Sequence, residues 1–210
     1  MSDLLPLFPL PAVVLFPGVF LPLHIFEPRY REMVADALAT DRLIGVALLR
    51  GGWEADYEGQ PPVFTVGCVG LITHSEKLPD GRYHIVLRGL DRFRIVEEDH
   101  SRLYRRATTE TVLERELTGD DRALLRRQRA RLESLISPSE ESGGVDPRAA
   151  AAMRDEDLVN ALSQYLDLEA IEKQALLEQP TIPDRAEALV ELLEMKTLVA
   201  KYPTVSPLAH

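Results

Sequence analysis

Near Thr118 the hydrophobic repeat of this chain changes from two residues to 3.6, so one half must build a sheet and the other must build helices. Upstream, Leu43 to Leu49, Val63 to Thr73, Tyr83 to Leu87, Phe93 to Val96 and Leu103 to Thr109 read as strands. Both faces of Val63 to Thr73 are apolar, and Gly67 and Gly70 interrupt them. That pattern suits a small, strongly curved barrel better than a flat sheet. Downstream, Leu124, Leu125, Leu132, Leu135 and Ile136 mark one helix, and two more are predicted over about Ala149 to Leu166 and Glu169 to Glu178. Thr181-Ile182-Pro183-Asp184 combines a capping residue, an early-turn proline and an acid three positions on, which opens a last helix to about Tyr202. Ser137 to Gly144 reads as a mobile linker loop. The fold class is therefore α+β, with a β-barrel subdomain over residues 1–115 and an α-helical bundle over residues 116–210.

Local signals sharpen the first half. Pro6, Pro9, Pro11, Pro17 and Pro22 punctuate the apolar run from Leu4 to Ile25, so its first strand is expected at a sheet edge or with a break. The same prolines, with Asp3 where a basic residue would stand, argue against a signal peptide. No window reaches the about 18 uninterrupted apolar residues of a membrane span. Pro28 fits the first position of a helix whose stripe is Tyr30, Met33, Val34, Ala37 and Leu38, a helix that should lie against the sheet. Pro79-Asp80-Gly81 predicts a hairpin, and the alternation Arg92-Phe93-Arg94-Ile95 turns Phe93 and Ile95 inward and both arginines to the other face.

Composition narrows the function classes. With 24 basic and 34 acidic residues the net charge is −10, unsuited to a protein that coats nucleic acid. A lone cysteine, Cys68, forms no disulfide within the chain, which favours a reducing, cytoplasmic setting. Lying in an apolar strand, it reads as an inert buried thiol rather than a nucleophile. There is no G-x-x-x-x-G-K-[ST] cradle for nucleotide phosphates, no G-x-S-x-G elbow and no H-E-x-x-H helix. The chain is expected to be no enzyme and to need no cofactor.

The run Leu5-Pro6-Leu7-Phe8-Pro9-Leu10, Val14-Leu15-Phe16-Pro17-Gly18 and Leu21-Pro22-Leu23-His24-Ile25-Phe26-Glu27-Pro28-Arg29-Tyr30 resembles the start of the Lon protease N-terminal, substrate-binding domain, and most of all the bacterial proteins made of that domain alone. The likeness continues through Gly67-Cys68-Val69-Gly70, Arg88-Gly89-Leu90-Asp91-Arg92-Phe93 and Lys173-Gln174-Ala175-Leu176-Leu177-Glu178, nearly the whole chain. The resemblance implies a PUA-like β-barrel followed by an α-helical bundle, and a recognition role: in Lon this region helps capture polypeptides for the ATP-driven core. The engine and the Ser–Lys protease part have no counterpart in these residues.

The expected activity is binding of an unfolded or extended polypeptide, with Lon itself a candidate partner and no membrane involved. It would use an apolar cleft between barrel and bundle and the proline-broken edge strand. The candidate contact residues are Phe16, Phe20, Phe26, Arg29, Tyr30, Trp53, Tyr57, Arg88 and Phe93. The four phenylalanines suit a barrel core even better, whereas Trp53 and Tyr57 sit in a polar loop that suits either a peptide anchor or packing on the barrel rim. Seven arginines against four acids between Arg82 and Arg106 supply the alternative, an RNA-binding face through Arg88, Arg92 and Arg94. The plainer reading of those arginines is solvated strand faces paired with the acidic helical bundle. His74 and His84 flank the hairpin and could oppose each other, but two imidazoles without a cysteine or carboxylate at ligand spacing read as polar residues on an exposed sheet face. No metal is expected.

Overall fold

The computed structural model describes residues 4–56, 59–136 and 152–201, and within them one six-stranded sheet and five α-helices. The strands are β1 (Leu5–Leu10), β2 (Phe20–Ile25), β3 (Leu43–Leu48), β4 (Val66–Lys77), β5 (Tyr83–Asp99) and β6 (Arg106–Val112). The helices are α1 (Pro28–Leu38), α2 (Gly119–Ile136), α3 (Asp155–Tyr165), α4 (Ala170–Leu177) and α5 (Ile182–Lys201). The expected linker at Ser137 to Gly144, the start of the second predicted helix at Ala149 and the expected helix end at Tyr202 lie outside the described residues.

Pairing runs β2-β5-β4-β3-β1-β6, and β6 also pairs with β5. One long strand makes this possible. The stretches Tyr83 to Leu87 and Phe93 to Val96, expected as two strands, are one 17-residue β5. Its first part lies between β2 and β4 and its last part against β6, so the ladder returns on itself through β5, β4, β3, β1 and β6. Curvature comes from bulges between Cys68 and Gly70, between Ile72 and His74 and between Ile95 and Glu97. At Gly67 a side chain would strike the Val46 carbonyl and the Phe93 ring, so the strand can bend inward there only without a Cβ.

The first strand is not an edge. Leu5 and Pro6 lie against β6 and Leu7 to Leu10 against β3, so β1 has partners on both sides and changes them along its length. The free edge belongs to β2, which pairs only with β5 and carries Pro22, a residue tolerated there because it removes no ladder bond. The hairpin forms as expected: Leu78 N–H donates to Arg82 O at 2.8 Å and Gly81 takes φ of 83°, a conformation glycine adopts without strain. The helix α1 begins at Pro28 and buries Tyr30, Met33, Val34 and Ala37 against Phe8, Ile44, Ile72 and Ile85.

The second half is not held apart from the first. One apolar cluster takes Val14, Phe16, Val19, Leu48 and Val66 from the strand-rich half and Leu125, Leu158, Leu162, Leu177, Leu189 and Val190 from the helices. Each large aliphatic side chain enclosed there is worth about 1.5–3 kcal/mol relative to exposure.

Candidate functional site

The candidate contact residues separate by burial. Phe16 and Phe93 are 0% and 1% exposed, closed off by the shared core and by Leu7, Ala47 and Ala107, so neither can touch a partner, and their place in a contact surface is withdrawn. Phe20 and Phe26 go the other way: at 48% and 59% exposed they fill no core. Tyr30 is buried with its ring 4.6 Å from that of Phe8, and the Arg29 guanidinium lies 4.7 Å over its face while Arg29 Nε donates to Glu27 at 3.0 Å. Trp53 is half-buried in a short 3-10 turn, packed on the Leu7–Phe93 cluster rather than standing free. Tyr57 lies outside the described residues. Arg88 is exposed and paired in register with Phe20.

Phe26, Arg29 and Tyr30 therefore come together, and the structure places them on a groove that sequence reasoning had not located. A hollow of about 500 Å³ runs between the start of α1 and the β5–β6 connection, with Pro9, Tyr30, Leu49, Pro61, Leu103 and Tyr104 among its walls. It shares Pro9, Glu27 and Tyr30 with a smaller recess of about 150 Å³ walled by Leu10, Leu23 and Phe26. Leu103, 74% exposed, stands on the rim. The charges here are engaged: Arg105 donates to Glu98 at 2.7 Å and to the Pro61 carbonyl at 2.6 Å. The Tyr104 hydroxyl donates to Asp36 at 2.7 Å, and burial, then that carboxylate, push its pKa up to about 12. A surface of this kind can cover apolar side chains, but its tyrosine is held protonated and offers no base near neutral pH.

The apolar cleft expected between the halves is filled instead. Arg92 on β5 and Arg185 on α5 are fully buried and both reach Glu114 Oε1 at 3.0 Å. Arg92 also donates to the carbonyls of Leu177, Gln179 and Pro180 at 2.8, 2.6 and 3.1 Å, the unsatisfied C-terminal end of α4. Arg185 donates to Leu176 O at 2.9 Å and Asn160 Oδ1 at 2.6 Å, and burial draws its pKa down. Gln164 accepts from Phe16 N–H at 3.0 Å, while Asn160 and Gln174 donate to the carbonyls of Pro17 and Val66 at 3.1 and 3.0 Å. The opening left at this seam, about 580 Å³, is lined largely by charged side chains such as Arg88, Arg122, Arg154, Glu114 and Asp157. Of the polar seam residues, Arg88 and Arg92 were expected on an outer, RNA-binding face, and Asn160, Gln164, Gln174 and Arg185 were given no role. The available signal was polar side chains such as Asn160, Gln164 and Arg185 sitting inside helical apolar stripes.

Most of these arginines are paired, but with acids of the strand-rich half and not with the helical bundle as expected. Of the seven arginines from Arg82 to Arg106, Arg82, Arg92, Arg102, Arg105 and Arg106 face carboxylates, and Arg92 is withdrawn from any outer face. His74 opposes Val86 rather than His84. Cys68 is enclosed and burial raises its thiol to about 12, so it is no nucleophile.

A family model described as the ATP-dependent protease La (LON) substrate-binding domain matches residues 4–195. The chain belongs to that family. Among its relatives, Lon protease 2 of Myxococcus xanthus is 29% identical over 204 residues, 95% of this chain, and Lon protease of Geobacter metallireducens is 30% identical over 185 residues, 84% of this chain. The chain spans about a quarter of the length of these curated relatives, 24% and 22%. In fold it is similar to the N-terminal domain of Mycobacterium avium complex Lon protease, with a TM-score of 0.66 and 18% identity over 91% of this chain and 98% of the other. It is also similar to a Lon N-terminal domain protein from Xanthomonas campestris, with a TM-score of 0.60 and 25% identity over 90% and 98%.

Proposed function

We propose that this chain is a non-catalytic, cytoplasmic polypeptide-binding module, which holds apolar side chains of an unfolded or extended segment in the groove between Pro9, Phe26, Tyr30 and Leu103. Family membership supports the class of ligand. The observation that carries the location is the exposure of Phe26 and Leu103 beside a hollow whose charges are already paired. Recognition is through burial of side chains, not strand addition. The free edge of β2 is blunted by Pro22, and its Phe20 carbonyl already accepts from the Tyr165 hydroxyl at 2.9 Å.

The closed ladder is read as a PUA-like barrel over residues 1–115 and the helices as a bundle over residues 116–210, two subdomains joined on one core. A Lon protease, or the polypeptides one degrades, is the proposed partner. Titrating a permanently unfolded, carboxymethylated protein into this chain should give binding in the high-micromolar range. Leu103→Ser and Phe26→Ser should each weaken it roughly three- to tenfold, the loss of one apolar anchor. Absence of binding by the parent, or binding by both variants as tight as the parent's, overturns the proposal.

A further inference from the structure

Three of the five histidines in the chain line one shallow groove on the outer face of β2, β5 and β4, floored by Pro22, Ile85 and Val86. Two of them, His24 on β2 and His84 on β5, are directly opposed in register. Their ring centroids are 4.8 Å apart and the rings are inclined by 53°. A metal–imidazole bond of about 2.1 Å puts each ring centre roughly 3.2 Å from the ion, so two rings on one ion lie about 4.5–5.3 Å apart for bond angles between square and tetrahedral. The observed separation falls inside that interval before any side chain moves.

The surroundings fit the same use. On the other side of His84, Glu76 is its register partner on β4 and brings Oε2 to 3.7 Å from Nδ1. At that distance no hydrogen bond is made, but a small rotation of either exposed side chain would let the carboxylate accept from Nδ1–H and leave Nε2 for the ion. Against it stands Arg82, whose Nη1 is 3.3 Å from His24 Nε2 and occupies the coordinating nitrogen. Among the described residues no three His, Cys, Asp or Glu side chains are grouped closely enough to hold a metal together. An ion held here would therefore take two ligands from the described residues.

We propose that His24 and His84 form a cross-strand chelate for a divalent first-row transition ion such as Zn²⁺, tying edge strand β2 to β5. Neutral imidazole is the ligand these ions share. The proposal does not depend on polypeptide binding.

The test titrates Zn²⁺ into the untagged full chain, followed by histidine ring resonances and by thermal unfolding. The expected result is one ion per chain, joint shifts of the His24 and His84 rings, and a rise in Tm reversed by EDTA. His24→Ala and His84→Ala should each abolish the response, while His74→Ala and His100→Ala keep it. Glu76→Ala should weaken binding about tenfold, and Arg82→Ala should strengthen it by removing the competing guanidinium. The proposal is overturned if millimolar Zn²⁺ leaves both rings unshifted, if His24→Ala binds as well as the parent, or if one ion bridges two chains.

Discussion

Cys68 shows how one strand position decides a residue's chemistry. It is the partner of Val46 on one side and Arg92 on the other, with its thiol enclosed, and burial lifts the pKa from 9.0 to about 12. The thiolate is the reactive form, so the native protein should resist alkylation at pH 8 and react at the rate of a free thiol only once unfolded. The linkage has a definite sign. A pKa raised by folding means the native state keeps a proton that the unfolded state loses first, so this group's contribution is intact below pH 9.0 and erodes as pH climbs toward 12. Thiol labelling with and without denaturant checks the first statement, and rapid labelling of native protein contradicts it. Sequence reasoning reached the inert thiol from its apolar neighbours. It misjudged Arg92 because alternation places the side chain opposite Phe93 but cannot say that helices α4 and α5 cover that face.

At the scale of elements, the helix starts were the most legible feature, since capping is local chemistry. Thr181 and Asp184 exchange the expected bonds, Asp184 N–H to Thr181 Oγ1 at 3.3 Å and Thr181 N–H to Asp184 at 3.2 Å. The same spacing recurs at Thr118 and Asp121, where Asp121 N–H donates to Thr118 Oγ1 at 3.2 Å and Arg115 joins the carboxylate at 2.7 Å. Side-chain hydrogen bonds from Arg115 and then Thr118 hold the Asp121 carboxyl far below its usual range. Thr118→Ala and Thr181→Ala should each cost about 1 kcal/mol in urea unfolding, and two unchanged midpoints would show the caps to be idle. Register was harder to read. The turn is closed by Leu78 and Arg82 and so centres on Asp80, not Pro79, and that shift of one residue moves each pairing by two: His84 meets Glu76, and His74 meets Val86. Pairing across β2 and β5, which brings His24 to His84, joins positions 58 to 68 residues apart and leaves no local trace.

For the whole molecule, the switch of hydrophobic period correctly divided strands from helices, but period carries no information on how tightly two halves meet. The answer lies in a few buried polar groups. Arg92, Arg185 and Glu114 form a two-to-one cluster whose second positive charge rests on the carbonyl end of α4. Arg185→Ala would strand Asn160 Oδ1 inside the protein, leave the Leu176 carbonyl with Gln179 N–H alone and leave Glu114 Oε1 with Arg92 alone. It should lower the unfolding free energy by about 3–5 kcal/mol, with both halves lost in one transition. Separate transitions, or a loss well under 1 kcal/mol, would mean that the seam is not a shared core.

With the seam filled by paired polar groups, the groove beside α1 carries the proposed contact, so its position is the claim to test most directly. Amide resonances of the isotope-labelled protein should be followed while an unfolded, carboxymethylated polypeptide is added. The account predicts shifts concentrated at Phe26, Glu27, Tyr30 and Leu103 to Arg105, with the seam residues Asn160 and Arg185 unmoved. Shifts confined to the seam or to the outer faces of α2 and α5 would contradict it.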